Sequence, residues 1–584
     1  MDSADILKDS KKKVVGNVES YLQSKKKGQK FCSINNNRET IKKIVLSQIN
    51  NLSIQKLKDC RLFTLTAPTG TGKTLTSIAA AMRLSERLKE VGIECTRIIE
   101  AVPFLNILEQ TAKDFEGIFG VDEVTIHSSL VNPYRIKNKS EKFTSVQKRI
   151  LQMNSWSSPV ILTTFVQFFE SIFTDQNQKL LKISRLVGAI VILDEIQSLE
   201  LQRFPLYALA IDSIARYYGT RFILMTATQP KLFETRQLVQ IKDPLKIYEL
   251  LPNYKTYFES LNRTCLIPIM DQVNSLDTLI DFIIDVKDNA NSILIVVNTI
   301  ADSIELYNKL FKMDIKVVYL STNITRIDRK IIIEKTKQLL KDNEYFIMVS
   351  TQTIEAGVDL DFDMAFRDLA PLSSIIQTAG RVNRSGNKGE LLPVYIFDLG
   401  SSKKVYKFFE AYETKKLLNT EVNECQYQEF IENYYNVLLS EDKIDMSDSL
   451  EFINEGIKKL EYNKIKEYKM ISEDERCSVI FLKDEYIINI VDELCKILIS
   501  YDKSYETKAK IKSYFNEIEQ YTVDIYPNKL KKNRPIEFSI YCKEICGKSI
   551  ELNYFIVPFD DLERYYDENT GFIAEDEDIG AFLY

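Results

Sequence analysis

Short, strand-like runs alternate with segments of helical spacing from Arg38 to about Leu245. The runs are FTLT, RIIEAVP, VILTT, AIVIL and RFILMT. Runs of this length, rich in β-branched residues, suit strands covered on both faces of a parallel sheet. The intervening helical segments then serve as crossovers. A polar stretch near 250–275 is followed by a second series: SILIVVN, IKVVYLS, YFIMVST, MAFRD and PVYIFDL. From about residue 401 the pattern changes. Lys, Glu, Asn and Tyr dominate long helical segments, with a few strand candidates such as CSVIFL and ELNYFIVPF. The pattern predicts an α/β protein in four parts: a polar leader at 1–37, parallel-sheet domains at 38–245 and 246–400, and a mixed, largely helical accessory domain at 401–584.

The first series carries a phosphate-binding signature. After the apolar run Leu62 to Leu65 comes Ala67-Pro-Thr-Gly-Thr-Gly-Lys-Thr74, then the helical segment LTSIAAAMRLSERLKE. Strand, glycine-containing loop and helix form the context in which backbone N–H groups and a helix N-terminus cradle phosphates. Thr69, Gly70, Thr71 and Gly72 form the cradle, Lys73 reaches the β- and γ-phosphates, and Thr74 ligates Mg²⁺. The first loop position is Ala67, where the consensus has glycine. At the end of AIVIL stand Asp194 and Glu195, at the strand edge where open α/β sheets bind ligands. Alone, this pair also reads as a helix cap. Beside the phosphate loop, Asp194 becomes a Mg²⁺ ligand and Glu195 the base for the attacking water. The second series ends in Gln377-x-x-Gly-Arg381-x-x-Arg384-x-Gly386. Arginines three apart share a helix face and can act as fingers on a phosphate held opposite. The two halves therefore must meet across a cleft.

Composition narrows the options. Of 584 residues, 45% are hydrophobic and 27% charged, as in soluble globular proteins. The sequence shows no apolar stretch long enough to span a bilayer and no signal-peptide core at its start, which points to the cytoplasm and away from membranes. Nine scattered cysteines read as reduced thiols in the core. The net charge of −6 argues against non-specific coating of nucleic acid but leaves room for a local basic channel. The lysine runs at 11–13 and 25–27 read as solvated faces. The single histidine, His127, excludes a multi-histidine metal nuclease built from these residues.

The ordered motifs resemble superfamily 2 helicases, and more closely the helicase part of the CRISPR-associated helicase–nucleases of type I interference systems. They run NNNRETI at 35–41, APTGTGKT, AVPFLNILEQ at 101–110, IHSS at 126–129, VILTTFVQFFESIF at 160–173, ILDEIQSL, LMTATQP at 224–230, ILIVVNTIADS at 293–303, STQTIEAGVDLDF at 350–362, and the arginine run. The resemblance implies tandem RecA-like domains, ATP with Mg²⁺, and 3′-to-5′ movement on single-stranded DNA. It implies that Arg38 contacts adenine, that Gly357 and Asp359 lie beside the ribose, and that Gln377 joins the two arginines at the γ-phosphate. Gln197, Thr226 and Thr228 would couple hydrolysis to domain movement. Gln110, Ser128, Thr164, Asn298, Thr299, Thr351 and Gln352 would face the nucleic acid. Full-length members usually begin with an HD nuclease domain. Either the nuclease is a separate protein, as in split members, or the chain is a truncated product; the expected partners are a separate HD nuclease protein and an RNA-guided surveillance complex, with the chain monomeric on its own. Two other readings stay open: a superfamily 2 enzyme acting on RNA, and a nucleotide-gated DNA-binding module without productive turnover.

Overall fold

The computed structural model describes residue 21 and residues 33–128, 152–228, 231–355, 357–389, 391–440, 443–470, 476–501, 504–530 and 534–573. Both lysine runs, most of the 1–37 leader, Ser129 and the Gln229–Pro230 end of LMTATQP lie outside these residues.

The first sheet contains β1 (Leu62–Thr66), β2 (Ile98–Val102), β3 (Val124–His127), β4 (Val160–Thr164), β5 (Ile190–Leu193), β6 (Arg221–Thr226) and β7 (Ile247–Glu249). Its order is β3-β4-β2-β5-β6-β1-β7, with every pairing parallel. β2, β4, β5 and β6 are buried along their whole length, as the apolar runs require. β7 pairs with β1, so the first sheet extends beyond the expected boundary at 245. The helix Ser33–Asn50 packs Ile41, Val45 and Ile49 into one core with Ile78 and Ala81 of the helix Lys73–Glu90.

The second sheet contains β8 (Thr264–Pro268), β9 (Ser292–Val296), β10 (Val317–Leu320), β11 (Phe346–Ser350), β12 (Met364–Asp368), β13 (Leu392–Phe397) and β14 (Val422–Asn423). Its order is β10-β11-β9-β12-β13-β8-β14. All pairings are parallel except that of β14, which comes from beyond residue 400.

The chain after 400 has two parts. The helix Tyr427–Ser440 lies across both sheet domains. Its Ile431, Tyr434 and Leu438 share a core with Phe204 and Leu206 of the first domain and Leu372 and Ile376 of the second. Residues 476–573 build a separate four-stranded mixed sheet from β15 (Cys477–Phe481), β16 (Thr522–Ile525), β17 (Ile536–Glu537) and β18 (Tyr554–Val557), in the order β16-β15-β18-β17. This unit is pinned to the second domain at the helix Arg326–Lys341, where Asp328 pairs with Lys483 and accepts from the Tyr566 hydroxyl at 2.6 Å.

Candidate nucleotide site between the two sheet domains

The loop after β1 turns through two left-handed glycines, Gly70 at φ 82° and Gly72 at φ 76°, conformations that cost a residue without Cβ little. Thr71 is buried and its hydroxyl donates to the Pro68 carbonyl at 2.7 Å, closing the loop. Gly72 caps the helix that begins at Lys73, so the helix N-terminus faces the cleft. Lys73 is buried there. Its Nζ has no hydrogen-bond partner among the described residues and lies 3.7 Å from Glu195 Oε1. The Arg38 Nε donates to the Gly70 carbonyl at 2.8 Å, fixing the loop from the helix Ser33–Asn50.

β5 delivers Asp194 and Glu195 to the same point. Asp194 is buried, held by the Thr74 hydroxyl, and its Oδ1 has no partner among the described residues. Burial first, and the neighbouring Glu195 charge second, push its carboxyl up to about 7. The two oxygen donors, Thr74 and Asp194, suit a hard cation such as Mg²⁺, and an unpaired buried carboxylate oxygen is what a cation would satisfy. Glu195 adopts a left-handed backbone at φ 53°, uncommon for a residue with Cβ, which turns its side chain off the strand and into the cleft. From there a chain of hydrogen bonds runs into the sheet. The Gln197 amide donates to Glu195 Oε2, the Thr226 hydroxyl donates to Gln197 Oε1 at 2.7 Å, and the Thr228 N–H donates to Thr226 Oγ1 at 2.8 Å. The three residues expected to couple hydrolysis to movement thus form one relay with Glu195.

The second domain closes the other wall. A cavity of about 690 Å³ is lined from the first domain by Arg38, Lys73, Thr74, Asp194, Glu195 and Gln197, and from the second by Gly357, Gln377, Arg381 and Arg384. Arg381 is buried. Its Nη1 donates to the Val358 carbonyl at 2.7 Å and its Nη2 to the Glu355 carbonyl at 2.5 Å, while its Nε has no partner among the described residues. Burial and the adjacent Arg384 lower its guanidinium to about 9, so it stays cationic at neutral pH while lacking a full counter-charge. An anionic phosphate would supply that charge.

Several expected assignments change. Asp359, expected beside the ribose, is not among the residues that line the cavity and forms an ion pair with Arg384 Nε at 3.0 Å. Gln110, expected on the nucleic-acid face, lines the nucleotide cavity. Thr164 and Thr299 are buried and cap helices, accepting from the N–H groups of Gln167 at 3.3 Å and Asp302 at 3.1 Å. Hydroxyls at strand ends commonly serve this way. Asn298 is consumed between the Leu369 carbonyl at 2.8 Å and the Arg367 guanidinium at 2.7 Å. Ser128 and Thr351 are buried as well, and Thr351 shares a hydrogen bond with Thr353. Only Gln352 of this group is partly open outside the cavity, and it donates to the Asn298 carbonyl at 3.1 Å. His127 accepts from the Trp156 indole at 3.1 Å and is held neutral by burial, which is a packing role.

Two buried charged residues had no local signal. Arg263 is buried at the start of β8 and is bound by Glu424 through its Nε and Nη2. The same guanidinium donates to the Arg384 carbonyl at 3.1 Å and across the cleft to the Thr69 carbonyl at 3.3 Å. Glu100, in the middle of β2, is fully buried with both carboxylate oxygens unpartnered among the described residues. Burial and the neighbouring Asp194 drive its carboxyl upward, keeping it neutral.

Gly357 is a point of direct approach between the domains. It sits at φ 75°, and a Cβ there would lie 2.6 Å from Asn106 Cβ and 2.9 Å from the Ile107 backbone nitrogen of the first domain. Gly357→Ala should therefore hold the cleft open by an ångström or so and lower ATP turnover by about 10²-fold. Nucleotide binding to the first domain should largely persist. Steady-state turnover measured beside binding of a fluorescent nucleotide checks this, and an unchanged turnover rate would show that closure does not pass through this contact.

Comparisons with known proteins agree with this geometry. A family model described as "DEAD/DEAH box helicase" matches residues 43–235, and one described as "CRISPR-associated nuclease/helicase Cas3, C-terminal" matches residues 289–387. A CRISPR-associated nuclease/helicase Cas3 of Haloferax volcanii is 29% identical over 447 residues, covering 60% of this chain and 48% of that protein. One from Methanothermobacter thermautotrophicus is 27% identical over 335 residues, covering 55% of this chain and 38% of that protein. The chain thus spans about half or less of the length of these relatives. The solved structure of T. fusca Cas3 with AMPPNP superposes over 88% of this chain and 67% of its own, with a TM-score of 0.63 at 14% identity. A CRISPR RNA-guided surveillance complex in its pre-nicking state contains a chain that matches with a TM-score of 0.53 at 12% identity. The motifs, the two family models and these relatives together support reading the chain as similar to the CRISPR-associated superfamily 2 helicases.

Proposed function

We propose that the chain is an ATP-driven motor that moves 3′ to 5′ on single-stranded DNA and unwinds target DNA in type I CRISPR interference. One observation carries the reading. Within a single cleft, Lys73 Nζ and Asp194 Oδ1 from the first domain and Arg381 Nε from the second are buried without hydrogen-bond partners among the described residues. Buried orphan groups of this kind are costly, and a triphosphate with its cation would satisfy all three.

The residues divide the work by position. The loop N–H groups and Lys73 hold the β- and γ-phosphates, and Thr74 with Asp194 would hold Mg²⁺. Bound there, the ion would neutralise charge on the β- and γ-oxygens. Glu195 orients the attacking water and takes its proton at the carboxylate. Gln197 fixes the Glu195 carboxylate and transmits its state through Thr226 to Thr228. Arg381 and Arg384, with Gln377, bring positive charge from the second domain when the cleft closes, and losing the γ-phosphate removes the reason for closure. The single strand is held mainly through its phosphates, with little sequence preference.

Target choice belongs to an RNA-guided surveillance complex and cutting to a separate HD nuclease protein. The only histidine, His127, is engaged by Trp156. No helix among the described residues is long and apolar enough to cross a membrane, and the reading places a monomeric motor in the cytoplasm. ATP turnover measured with oligothymidine and with oligouridine tests the proposal. Single-stranded DNA should stimulate turnover and RNA should not. Stimulation by RNA alone would make the chain an RNA helicase, and binding of nucleotide without turnover on either strand would make it a gated binding module.

A further inference from the structure

We infer that the exposed face of the helix Phe408–Leu417, with the lysines that precede it, is a stacking platform for single-stranded DNA. The inference rests on the single-strand motor reading and supplies what the buried Thr164, Asn298, Thr299 and Thr351 do not, a surface that a strand can touch.

The face is unusual in composition. Phe408, Phe409 and Tyr412 are 48%, 44% and 42% exposed. Phe408 and Tyr412 stand one helical turn apart with ring centroids 5.4 Å apart and planes 20° from parallel, while Phe409 meets Phe408 edge-on at 5.6 Å. Within residues 403–416 every exposed charged residue is a lysine: Lys403, Lys404, Lys407, Lys415 and Lys416. Lys403 Nζ lies 5.5 Å from the Phe408 ring and Lys416 Nζ 4.4 Å from the Tyr412 ring. The acids of the helix are less exposed than the lysines: Glu413 is buried and pairs with Lys443 at 2.9 Å and with Lys416 at 3.5 Å, and Glu410 is partly buried. Asp398 pairs with Lys415 at 2.6 Å, whereas Lys403, Lys404 and Lys407 make no ion pair among the described residues.

Charge and rings together select the occupant. Three exposed rings need an apolar or aromatic cover, and the surrounding ammonium groups need anions close by. A single strand offers both at once, because its bases stack on the rings while its phosphates meet the lysines. An apolar protein surface would have to strip water from the lysines without return.

The location is also right. The segment leading to the platform is anchored at the C-terminal ends of the second sheet. There the Arg367 guanidinium donates to the Tyr406 hydroxyl at 2.7 Å and the Ser401 hydroxyl donates to Asp368 at 2.6 Å. Arg367 also holds Asn298, whose carbonyl receives Gln352. The platform is therefore continuous with the strand-end edge that carries Gln352.

The test uses the full chain and a fluorescein-labelled oligothymidine, followed by anisotropy across a salt series. F408A/F409A/Y412A should weaken binding about tenfold or more through lost stacking, with the salt slope retained. K403A/K404A/K407A should flatten the slope of log K against log salt by about two, near 0.7 per phosphate contact. ATP turnover without DNA should be unchanged in both variants. In the wild-type chain, photocrosslinking with 5-iodouracil-substituted oligothymidine should mark Phe408 or Tyr412. Wild-type affinity in the ring variant, or crosslinks confined to other surfaces, would overturn the platform and leave the patch to a protein partner. Failure of the wild-type chain to bind the oligonucleotide at all would instead overturn the single-strand motor reading.

Discussion

Glu195→Gln is expected to lower ATP turnover by about 10²–10⁴-fold while nucleotide still binds. The substitution keeps the volume of the side chain and an oxygen that can still accept from Gln197, so the relay through Thr226 to Thr228 can remain assembled. What disappears is the carboxylate that takes a proton from water. The charge facing Lys73 also disappears, since Glu195 Oε1 lies 3.7 Å from Lys73 Nζ. The lysine then meets the phosphates without a competing anion, so affinity for the triphosphate should hold or rise. Single-turnover hydrolysis measured beside binding of a non-hydrolysable analogue separates the two effects. Turnover comparable with wild type would remove Glu195 from the role of base. Loss of binding together with turnover would mean that the residue shapes the cradle instead.

The residues of the candidate nucleotide site were legible in the sequence because its parts are local. A strand, two glycines and a lysine specify a phosphate cradle within a dozen residues, and an apolar run ending in two acids specifies the strand edge beside it. Gln377, Arg381 and Arg384 were equally local, and the requirement for a phosphate opposite them implied the cleft that the structure contains. Most of the residues expected to face nucleic acid are buried instead, for a physical reason. Thr164 and Thr299 are hydroxyl residues at strand ends, where a free helix N–H competes for the same oxygen and captures it. Asn298 is captured by Arg367, a fully buried cation that needed an acceptor. The platform residues were visible as letters, but their shared exposure depends on Glu410 and Glu413 being less exposed than the lysines, and periodicity did not reveal that. The accessory region was under-read for a similar reason. Its sheet includes a two-residue strand, β17, and joins segments far apart in the chain, so few of its pairings leave a local pattern.

Arg263 is the residue that no local pattern could disclose, and its loss should be the most damaging outside the cradle. Its partner Glu424 lies 161 positions away, and the pair is buried at 7% and 9% exposure. Arg263→Met removes the cation and leaves a buried carboxylate unpaired, at a cost of about 3–5 kcal/mol. The same change cuts the bridge between the Thr69 carbonyl of the phosphate loop and the Arg384 carbonyl of the finger segment. Stability and coupling can be separated with R263M/E424L. Replacing both members of a buried pair by apolar residues is often close to neutral, so the double variant should recover most of the lost thermal stability. Turnover should remain depressed in the double variant, by about tenfold or more, because the cross-cleft bridge is still missing and the fingers are less well positioned. Thermal unfolding and DNA-stimulated turnover measured on the single and double variants decide the matter. If turnover returns with stability, Arg263 serves only to neutralise Glu424. If turnover stays low in a chain that folds as well as wild type, the guanidinium transmits the arrangement of the phosphate loop to the fingers, and the region beyond residue 400 is part of the motor through Glu424.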